Sequence, residues 1–376
     1  MAEQNNYFKV NRGLRHFRQD MLEADYIESG PLKYDATIFG PHVDGTKRQV
    51  AFGRWAIPKL RKELLHSDLT IARQALVSLL DFAHDPEQAQ DIIRLNVLAR
   101  LVRMILSEDD FIRYHTLLVL NVLATQPNGA QAIVNKQFII KNLSKVIPDE
   151  NPKIRKQAAN TIETLGKSVF AFSCLIDNEF DQHLVERVGL EEDIDALIAV
   201  LSALEAFMSN SGKATDYAIE QGLCETISIY LSHDRAEAKL ATLKVLQLML
   251  MRRAGKLAAE NCSVDMVLEL TNLLEHENED VVQEAAMALG LLFITTNSKL
   301  KGAELGTDQK LLFLATNSRN VTLKVNAIQA LTNLAVAPVA KQRLQNDINV
   351  LKNIDRMSNQ KIAELVVRLI EVIQQL

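Results

Sequence analysis

The chain has 376 residues, of which 48% are hydrophobic, and a formal net charge of -5. A charge this small for this length does not favour nucleic acid or an anionic membrane surface as a partner. Only 14 Gly and 8 Pro are present, which is typical of a helical protein with short loops. The start of the chain lacks the apolar segment of a signal peptide, and no apolar stretch reaches membrane-spanning length. We therefore expect an intracellular, soluble protein.

Residues 1–49 differ in pattern from the rest of the chain. They contain two Gly-Pro pairs, Gly30-Pro31 and Gly40-Pro41, and show no sustained hydrophobic period. We predict an extended, partly irregular N-terminal arm with one short helix from Leu14 to Leu22. Two interpretations stay open, a solvated tail or a docking arm that becomes ordered on a partner. The remainder, residues 50–376, forms the second predicted domain.

This second part carries a helical apolar pattern that recurs about every 42 residues, the period of armadillo and HEAT repeats. Its anchor positions are Ile71, Ile112, Ile154, Ala196, Ala238, Val281, Leu323 and Ile362. A second apolar position follows eight residues later, at Leu79, Leu120, Ile162, Leu204, Leu246, Leu289, Leu331 and Ile370. Because no such repeat buries its apolar face alone, the repeats are expected to stack into one continuous core.

The internal plan of a repeat is clearest in the second one. Short helices are predicted from Val97 to Leu106 and from Ala130 to Lys136, and a long helix from Ile112 to Ala124. The polar turn Ser107–Asp110 starts the long helix, and Gln126–Gly129 breaks it. Three helices per repeat favour armadillo over the two-helix HEAT repeat. We predict an all-α, armadillo-type right-handed α-solenoid of about eight repeats, with an atypical fourth repeat.

The sequence shows no catalytic constellation. It contains no phosphate-cradling glycine loop, no nucleophile elbow and no zinc-ligand spacing. His66, His233 and His276 each precede the long helix of a repeat, so a role in the turn explains them better than metal binding. The acidic run from Glu191 to Asp193 is interpreted as a helix start that uses the helix dipole. We predict a protein that is not an enzyme and has no cofactor, metal or small-molecule substrate.

The three cysteines are Cys174, Cys224 and Cys262, which lie far apart and have no paired spacing. This pattern favours three buried thiols in a reducing compartment over disulfides or a zinc site.

The third helices of an armadillo stack line its concave face, so residues six and ten positions after each anchor should point into a groove. The predicted partner-binding residues in this groove are Leu118, Val122, Asn160, Lys244, Leu248, Met287, Leu291 and Asn333. Apolar pairs such as Leu118 with Val122 suit a partner segment that is an amphipathic helix. The alternative is a register error of one residue, which would place these side chains in the core.

Nuclear-import adaptors of the armadillo class carry a repeated ladder of Trp and Asn at these positions. Here Trp occurs at none of them, and Asn occurs at the second position only as Asn333. The ladder that clamps an extended basic peptide is therefore missing.

One segment is more specific than the repeat pattern. The decamer Ala51 to Leu60, AFGRWAIPKL, with Arg73–Leu76, Leu80-Asp81 and His84–Glu87, resembles the first repeat of the radial spoke head 14 homolog family. The resemblance is sharp over residues 50 to 90. It implies a structural scaffold of the radial spoke in motile cilia and flagella, located in the axoneme. It also implies other radial spoke proteins as partners. An armadillo adaptor in intracellular transport or signalling, and a regulatory subunit holding a kinase or phosphatase, remain the alternatives.

Overall fold

The computed structural model describes residues 55–352, 354 and 360–374. The predicted arm, residues 1–49, lies outside the described residues, as do Ala51 to Arg54 of the decamer. All regular structure in the described part is helical. The chain divides into two compact units, one ending at Asn178 and the other beginning at Glu179. The division falls in the fourth repeat, the one predicted to be atypical.

The first unit contains nine of the described helices. In chain order they are α1 (Ala56–Glu63), α2 (Leu69–Ala83), α3 (Pro86–Arg94), α4 (Leu98–Met104), α5 (Asp110–Ala124), α6 (Pro127–Val134), α7 (Gln137–Val146), α8 (Pro152–Gly166) and α9 (Val169–Asp177). The third helices of its repeats are α2, α5 and α8, and α5 packs on both of the others. Leu79, Leu120 and Ile162 are fully buried along this row, as the apolar pattern predicts.

The second unit continues the same plan. Its described helices are α10 (Phe180–Val188), α11 (Ile194–Asn210), α12 (Gly212–Glu220), α13 (Leu223–Ser228), α14 (Ala236–Leu250), α15 (Arg253–Glu260), α16 (Met266–Leu273), α17 (Glu279–Leu292), α18 (Thr296–Glu304), α19 (Thr307–Asn317), α20 (Val321–Leu334), α21 (Pro338–Asn346), α22 (Ile348–Lys352) and α23 (Gln360–Gln374). A short 3-10 helix, Ile229–Ser232, follows α13. The third helices α11, α14, α17, α20 and α23 pack on one another in that order.

The predicted anchor of the first repeat is wrong by one residue, although the second apolar position, Leu79, is buried as predicted. Ile71 is only half-buried, and Ala72 is buried instead, on a face shared with Leu76 and Leu79. Among the described residues, α2 has a neighbouring third helix, α5, on one side only. Its buried face is therefore set by α1, α3 and α5, without the second third helix that an internal repeat has.

The predicted helix break at Gln126–Gly129 is too long, and the linking helix predicted from Ala130 begins three residues earlier. Pro127 is the first residue of α6, so the break lies at Thr125 and Gln126. Proline is favoured in the first helical turn because its missing N–H would have no partner there. The close approach of α6 to α5 needs a glycine, since a Cβ built on Gly129 would lie 1.9 Å from the carbonyl oxygen of Leu123.

The polar turns start the third helices, as predicted. In most of these turns, two side chains accept backbone N–H groups, one at the start of the helix and one just before it. The residue before each of six third helices accepts a backbone N–H from the first turn of that helix: Asp68, Asp109, Asn151, Asp193, Asn278 and Asn320. Two residues earlier, another side chain accepts the N–H of the capping residue. The three histidines His66, His233 and His276 do so through Nδ1, at 3.0 to 3.1 Å. Their predicted role in the turn is confirmed.

Candidate partner-binding face

The predicted groove residues all lie on third helices, and none of them belongs to the buried core. Lys244 is exposed, and the other seven are half-buried. Partner binding by these residues stays a prediction. Leu118, Val122 and Asn160 lie in the first unit, and the other five lie in the second.

In the first unit, hydrogen bonds join neighbouring third helices along this face. Thr164 on α8 donates from Oγ1 to Oδ1 of Asn121 on α5, at 2.6 Å. The hydroxyl of Thr161 on α8 is shared between the carbonyl oxygen of Leu117 on α5, at 3.2 Å, and that of Gln157 in its own helix, at 2.8 Å. These bonds hold α8 against α5 at the level of Leu118 and Val122.

In the second unit, three predicted residues line one open depression of about 260 Å³. The residues that line it come from α17, α20 and α23 and from the turn that follows α17: Met287, Gly290, Leu291, Ile294, Asn326, Gln329, Thr332, Asn333, Leu365 and Arg368. Met287, Leu291 and Asn333 are therefore brought together, whereas Lys244 and Leu248 on α14 are not among its lining residues.

Amide side chains tie the helices together beneath this depression. Asn333 on α20 donates from Nδ2 to the carbonyl oxygen of Gly290 on α17, at 2.8 Å. Asn326 donates in the same way to the carbonyl oxygen of Gln283, at 3.2 Å. One end of each amide is thus used within the protein, and the depression is a pre-formed surface.

The α14 portion of this face is polar. Lys244 Nζ lies 3.8 Å from a carboxylate oxygen of Glu205 on α11. Gln247 donates from Nε2 to the carbonyl oxygen and to the carboxylate of Glu284 on α17, at 3.0 and 2.7 Å. Neighbouring third helices are again bridged by polar side chains, while Leu248 supplies half-buried apolar surface between them.

Arginine–carboxylate pairs link successive polar turns in the first unit. The guanidinium of Arg73 contacts the carboxylate of Asp109, and this hydrogen bond lowers the pKa of Asp109 below its ordinary value. Arg113 donates from Nε to Asp149 at 2.8 Å. Partial burial acts to lower the pKa of Arg113, but the hydrogen bond and charge of Asp149 outweigh it and raise that pKa. Each pair therefore connects the third helix of one repeat to the polar turn of the next repeat.

A second apolar surface in the first unit was missed by the sequence analysis. Its open depression of about 410 Å³ is lined by Ala124, Thr125, Pro127, Thr164, Lys167, Ser168, Val169 and Phe170. Val169 is 88% exposed and Phe170 is 55% exposed. An adjacent Val-Phe pair at the start of a short helix was the available signal, because both residues cannot face the core from consecutive helical positions.

The sequence interpretation of the cysteines is corrected on two points. Only Cys224 is buried, whereas Cys174 and Cys262 are half-buried. The sulfur atoms of Cys224 and Cys262 lie 3.5 Å apart although 38 residues separate them in the chain. A separation of about one repeat places two residues side by side in a stack, and that spacing was the signal in the sequence. All three thiols are free.

Within the residues that the structure describes, no cluster of three or more His, Cys, Asp or Glu side chains is arranged to hold a metal ion. In the same part of the chain, no helix combines the length and hydrophobicity needed to cross a bilayer.

Comparison with solved structures identifies the fold. The chain is similar to an engineered protein of known crystal structure, with a TM-score of 0.66 and 18% identity over 85% of this chain and 89% of that chain. It is also similar to a designed armadillo repeat protein, with a TM-score of 0.56 and 18% identity over 63% of this chain and 99% of that chain. The chain is an armadillo-type α-solenoid. A second armadillo structure, computationally designed for modular peptide recognition, has a TM-score of 0.56 and 18% identity over 62% of this chain and 99% of that chain. No family model matches the chain.

Proposed function

We propose that this armadillo solenoid is a non-enzymatic scaffold that binds segments of partner proteins on the faces formed by its third helices. The depression lined by Met287, Leu291 and Asn333 carries the proposal. It joins three successive repeats, and the side chains of Met287, Leu291 and Asn333 are half-buried instead of packed into the core. Apolar surface of this kind on a repeat protein is typical of an interface.

The lining of the depression indicates which partner fits. Met287 and Leu291 are one helical turn apart and form an apolar surface, with Leu365 beside them. Gln329 and Arg368 add polar groups and a positive charge. An amphipathic helix matches this arrangement, with apolar side chains one turn apart and a carboxylate near Arg368. Such a helix would bury its apolar stripe and keep its charged face in water.

The cellular setting that we propose is the radial spoke of motile cilia and flagella, with other spoke proteins as partners. This part of the proposal is supported by the resemblance at Ala51 to Leu60 and at Arg73 to Leu76. A helical scaffold with many side contacts is suited to brace a long, slender assembly. The axoneme is the expected location.

The alternative is an armadillo adaptor in transport or signalling that binds extended peptides. One of the structures similar in fold was designed for modular peptide recognition, and Asn326 and Asn333 offer amide oxygens to a peptide backbone. Against this alternative, both amides already donate from Nδ2 to the preceding helix, and the neighbouring Met287 and Leu291 are apolar.

The test uses the tagged full chain in cells with motile cilia. Wild type is expected in the axoneme after detergent has removed the membrane. A variant with Leu118→Asp and Met287→Asp should fold, as judged by circular dichroism, and should be lost from isolated axonemes. A charge placed against an apolar partner without a counterion is costly enough to break an interface. The control is Leu106→Asp with Leu300→Asp, which alters one exposed apolar residue in each unit away from this face.

The outcomes separate the parts of the proposal. A signal found only in cytoplasm or nucleus contradicts the radial spoke setting and favours the adaptor. A double variant that folds and stays in the axoneme contradicts binding by the third-helix face. Loss of the control variant together with the test variant would show that any surface charge disrupts assembly.

A further inference from the structure

Two cysteines of adjacent repeats face each other in the second unit. Cys224 is the second residue of α13, and Cys262 lies in the connection between α15 and α16. Their sulfur atoms are 3.5 Å apart. Cys262 also donates from its thiol to the carbonyl oxygen of Ala258, at 3.2 Å.

Hydrogen bonds hold the segment that carries Cys262 against α13. Glu225, next to Cys224, accepts the backbone N–H of Ser263 at 3.0 Å. The hydroxyl of Ser263 donates to the other carboxylate oxygen of Glu225. The residue after Cys262 is thus hydrogen-bonded to the carboxylate of the residue after Cys224, which supports the pairing of the two sulfur atoms.

The two thiols differ in access. Cys224 is 1% exposed. Cys262 is half-buried and lines an open depression of about 290 Å³ together with Asn261, Ser298 and Lys301. A small dissolved oxidant can therefore reach Cys262, whereas Cys224 is buried next to it.

We propose that Cys262 and Cys224 form a two-thiol oxidation site, with a hydroperoxide as co-substrate and a disulfide between neighbouring repeats as product. The thiolate of Cys262 attacks an oxygen of the hydroperoxide, the O–O bond breaks, and the leaving oxygen takes up a proton as water or an alcohol. Cys262 becomes a sulfenic acid. The sulfur of Cys224 then attacks the Cys262 sulfur, its proton leaves with the hydroxyl as water, and the S–S bond forms. Two thiols lose two electrons in total, and the hydroperoxide gains them.

The acidities of the three thiols agree with these roles. A hydrogen bond from Cys224 lowers the pKa of Cys262 below its ordinary value, against partial burial and the charge of Glu225. The hydrogen bond with Cys262 and burial raise the pKa of Cys224. Burial, with the charge of Asp177, raises the pKa of Cys174. Because the thiolate is the nucleophile, Cys262 is the thiol that reacts first.

The product would cross-link two repeats. Disulfide formation brings the sulfur atoms from 3.5 Å to about 2.05 Å. The bond would join α13 to the residues that precede α16. This property is independent of the proposed partner-binding face, because neither cysteine lies on a third helix.

The experiment uses the reduced full chain and hydrogen peroxide at neutral pH. Remaining thiols are alkylated at timed intervals, and peptides are mapped by mass spectrometry without reduction. We expect one intramolecular Cys224–Cys262 disulfide, with Cys262 consumed at least about tenfold faster than Cys174. Cys174→Ser should form the same disulfide at the same rate. In Cys224→Ala the sulfenic acid of Cys262 should persist and be trapped by dimedone, whereas Cys262→Ser should leave Cys224 unreacted.

The wild-type chain by itself can overturn the proposal, whether or not the variants fold. Oxidation of Cys174 as fast as Cys262, or a mixture of disulfides that includes Cys174, would contradict a dedicated site. A Cys224–Cys262 disulfide that forms only after the chain is unfolded would contradict it as well.

Discussion

Arg113 on α5 donates to both carboxylate oxygens of Asp149, from Nε at 2.8 Å and from Nη2 at 3.2 Å. Asp149 belongs to the polar turn of the next repeat, so the pair crosses a repeat boundary. Arg113 also donates from Nη1 to the carbonyl oxygens of Ser107 and Glu108 in its own turn. The side chains are 15% and 10% exposed. One guanidinium therefore organises two successive turns in a setting with little water.

Replacing this arginine should destabilise the first unit. Arg113→Met removes the donors and leaves the Asp149 carboxylate largely buried without its partner, at an expected cost of about 2–4 kcal/mol. Arg94→Met is the control, because Arg94 pairs with Asp91 at the exposed surface and such pairs contribute about 0–1 kcal/mol. Urea unfolding followed by circular dichroism measures both. Equal losses in the two variants would contradict a special role for the Arg113 pair.

Core leucines at the same position of different repeats should behave alike. Leu120 and Leu289 are both fully buried, so Leu120→Ala and Leu289→Ala should each cost about 2–5 kcal/mol. Leu106→Ala and Leu300→Ala, at exposed positions, should stay within about 0.5 kcal/mol of wild type. Hydrogen exchange should accelerate most in the altered repeat and its neighbours, because repeats contact only neighbours. Uniform acceleration along the chain would be inconsistent with that coupling.

Two glycines mark close backbone approaches, one in each unit. A Cβ on Gly129 would lie 1.9 Å from the carbonyl oxygen of Leu123, and one on Gly255 would lie 2.0 Å from that of Met249. Gly129→Ala and Gly255→Ala should each cost about 1–3 kcal/mol, because the backbone must move. Gly189→Ala is the control, since its nearest atom would be 3.7 Å away and its φ is -71°. Chemical unfolding measures the stability of each variant. A Gly129→Ala variant as stable as wild type would contradict the close approach of the two backbones.

The lowered pKa of Asp109 predicts a specific dependence of stability on pH. A carboxylate whose pKa is lower in the folded than in the unfolded protein stabilises the fold above its unfolded value of about 4. That contribution is lost as pH falls through the folded pKa. Asp109→Asn keeps a side-chain oxygen for the N–H of Ile112 but removes the charge that Arg73 contacts.

The difference in stability between wild type and Asp109→Asn should therefore be largest near neutral pH and shrink toward zero below about pH 4. Urea midpoints measured for both proteins at a series of pH values test this. A difference that does not change with pH would show that the hydrogen bond to Arg73 does not depend on the charge of Asp109.

The apolar pattern predicted the positions of the third helices correctly. It was less successful for the buried face of the first repeat and for the start of a linking helix. Leu120 and Leu289 are buried as predicted because the helical period places them on the same face as their repeat's anchor. Ile71 is only half-buried, unlike the anchors of the later repeats, because α2 has a single neighbouring third helix among the described residues. Pro127 was misassigned because a proline that ends one helix in sequence can equally begin the next.

The candidate site was also predicted only in part from the sequence. The sequence placed Met287, Leu291 and Asn333 outside the core, and the structure brings them into one depression. It did not identify the surface at Val169 and Phe170, because exposure of an apolar helix start depends on which neighbours cover it.

By itself, the sequence determined the all-α class, the repeat period, the positions of the third helices and the polar turns that start them. These features depend on helical periodicity and capping, which act over a few residues. Only the tertiary structure decided which residues of neighbouring repeats meet. Cys224 and Cys262, 38 residues apart in the chain, and Arg113 with Asp149 are in contact because of how one repeat is rotated and shifted on the next. That rotation results from the packing of all the helices in both repeats, so no local pattern in the sequence specifies it.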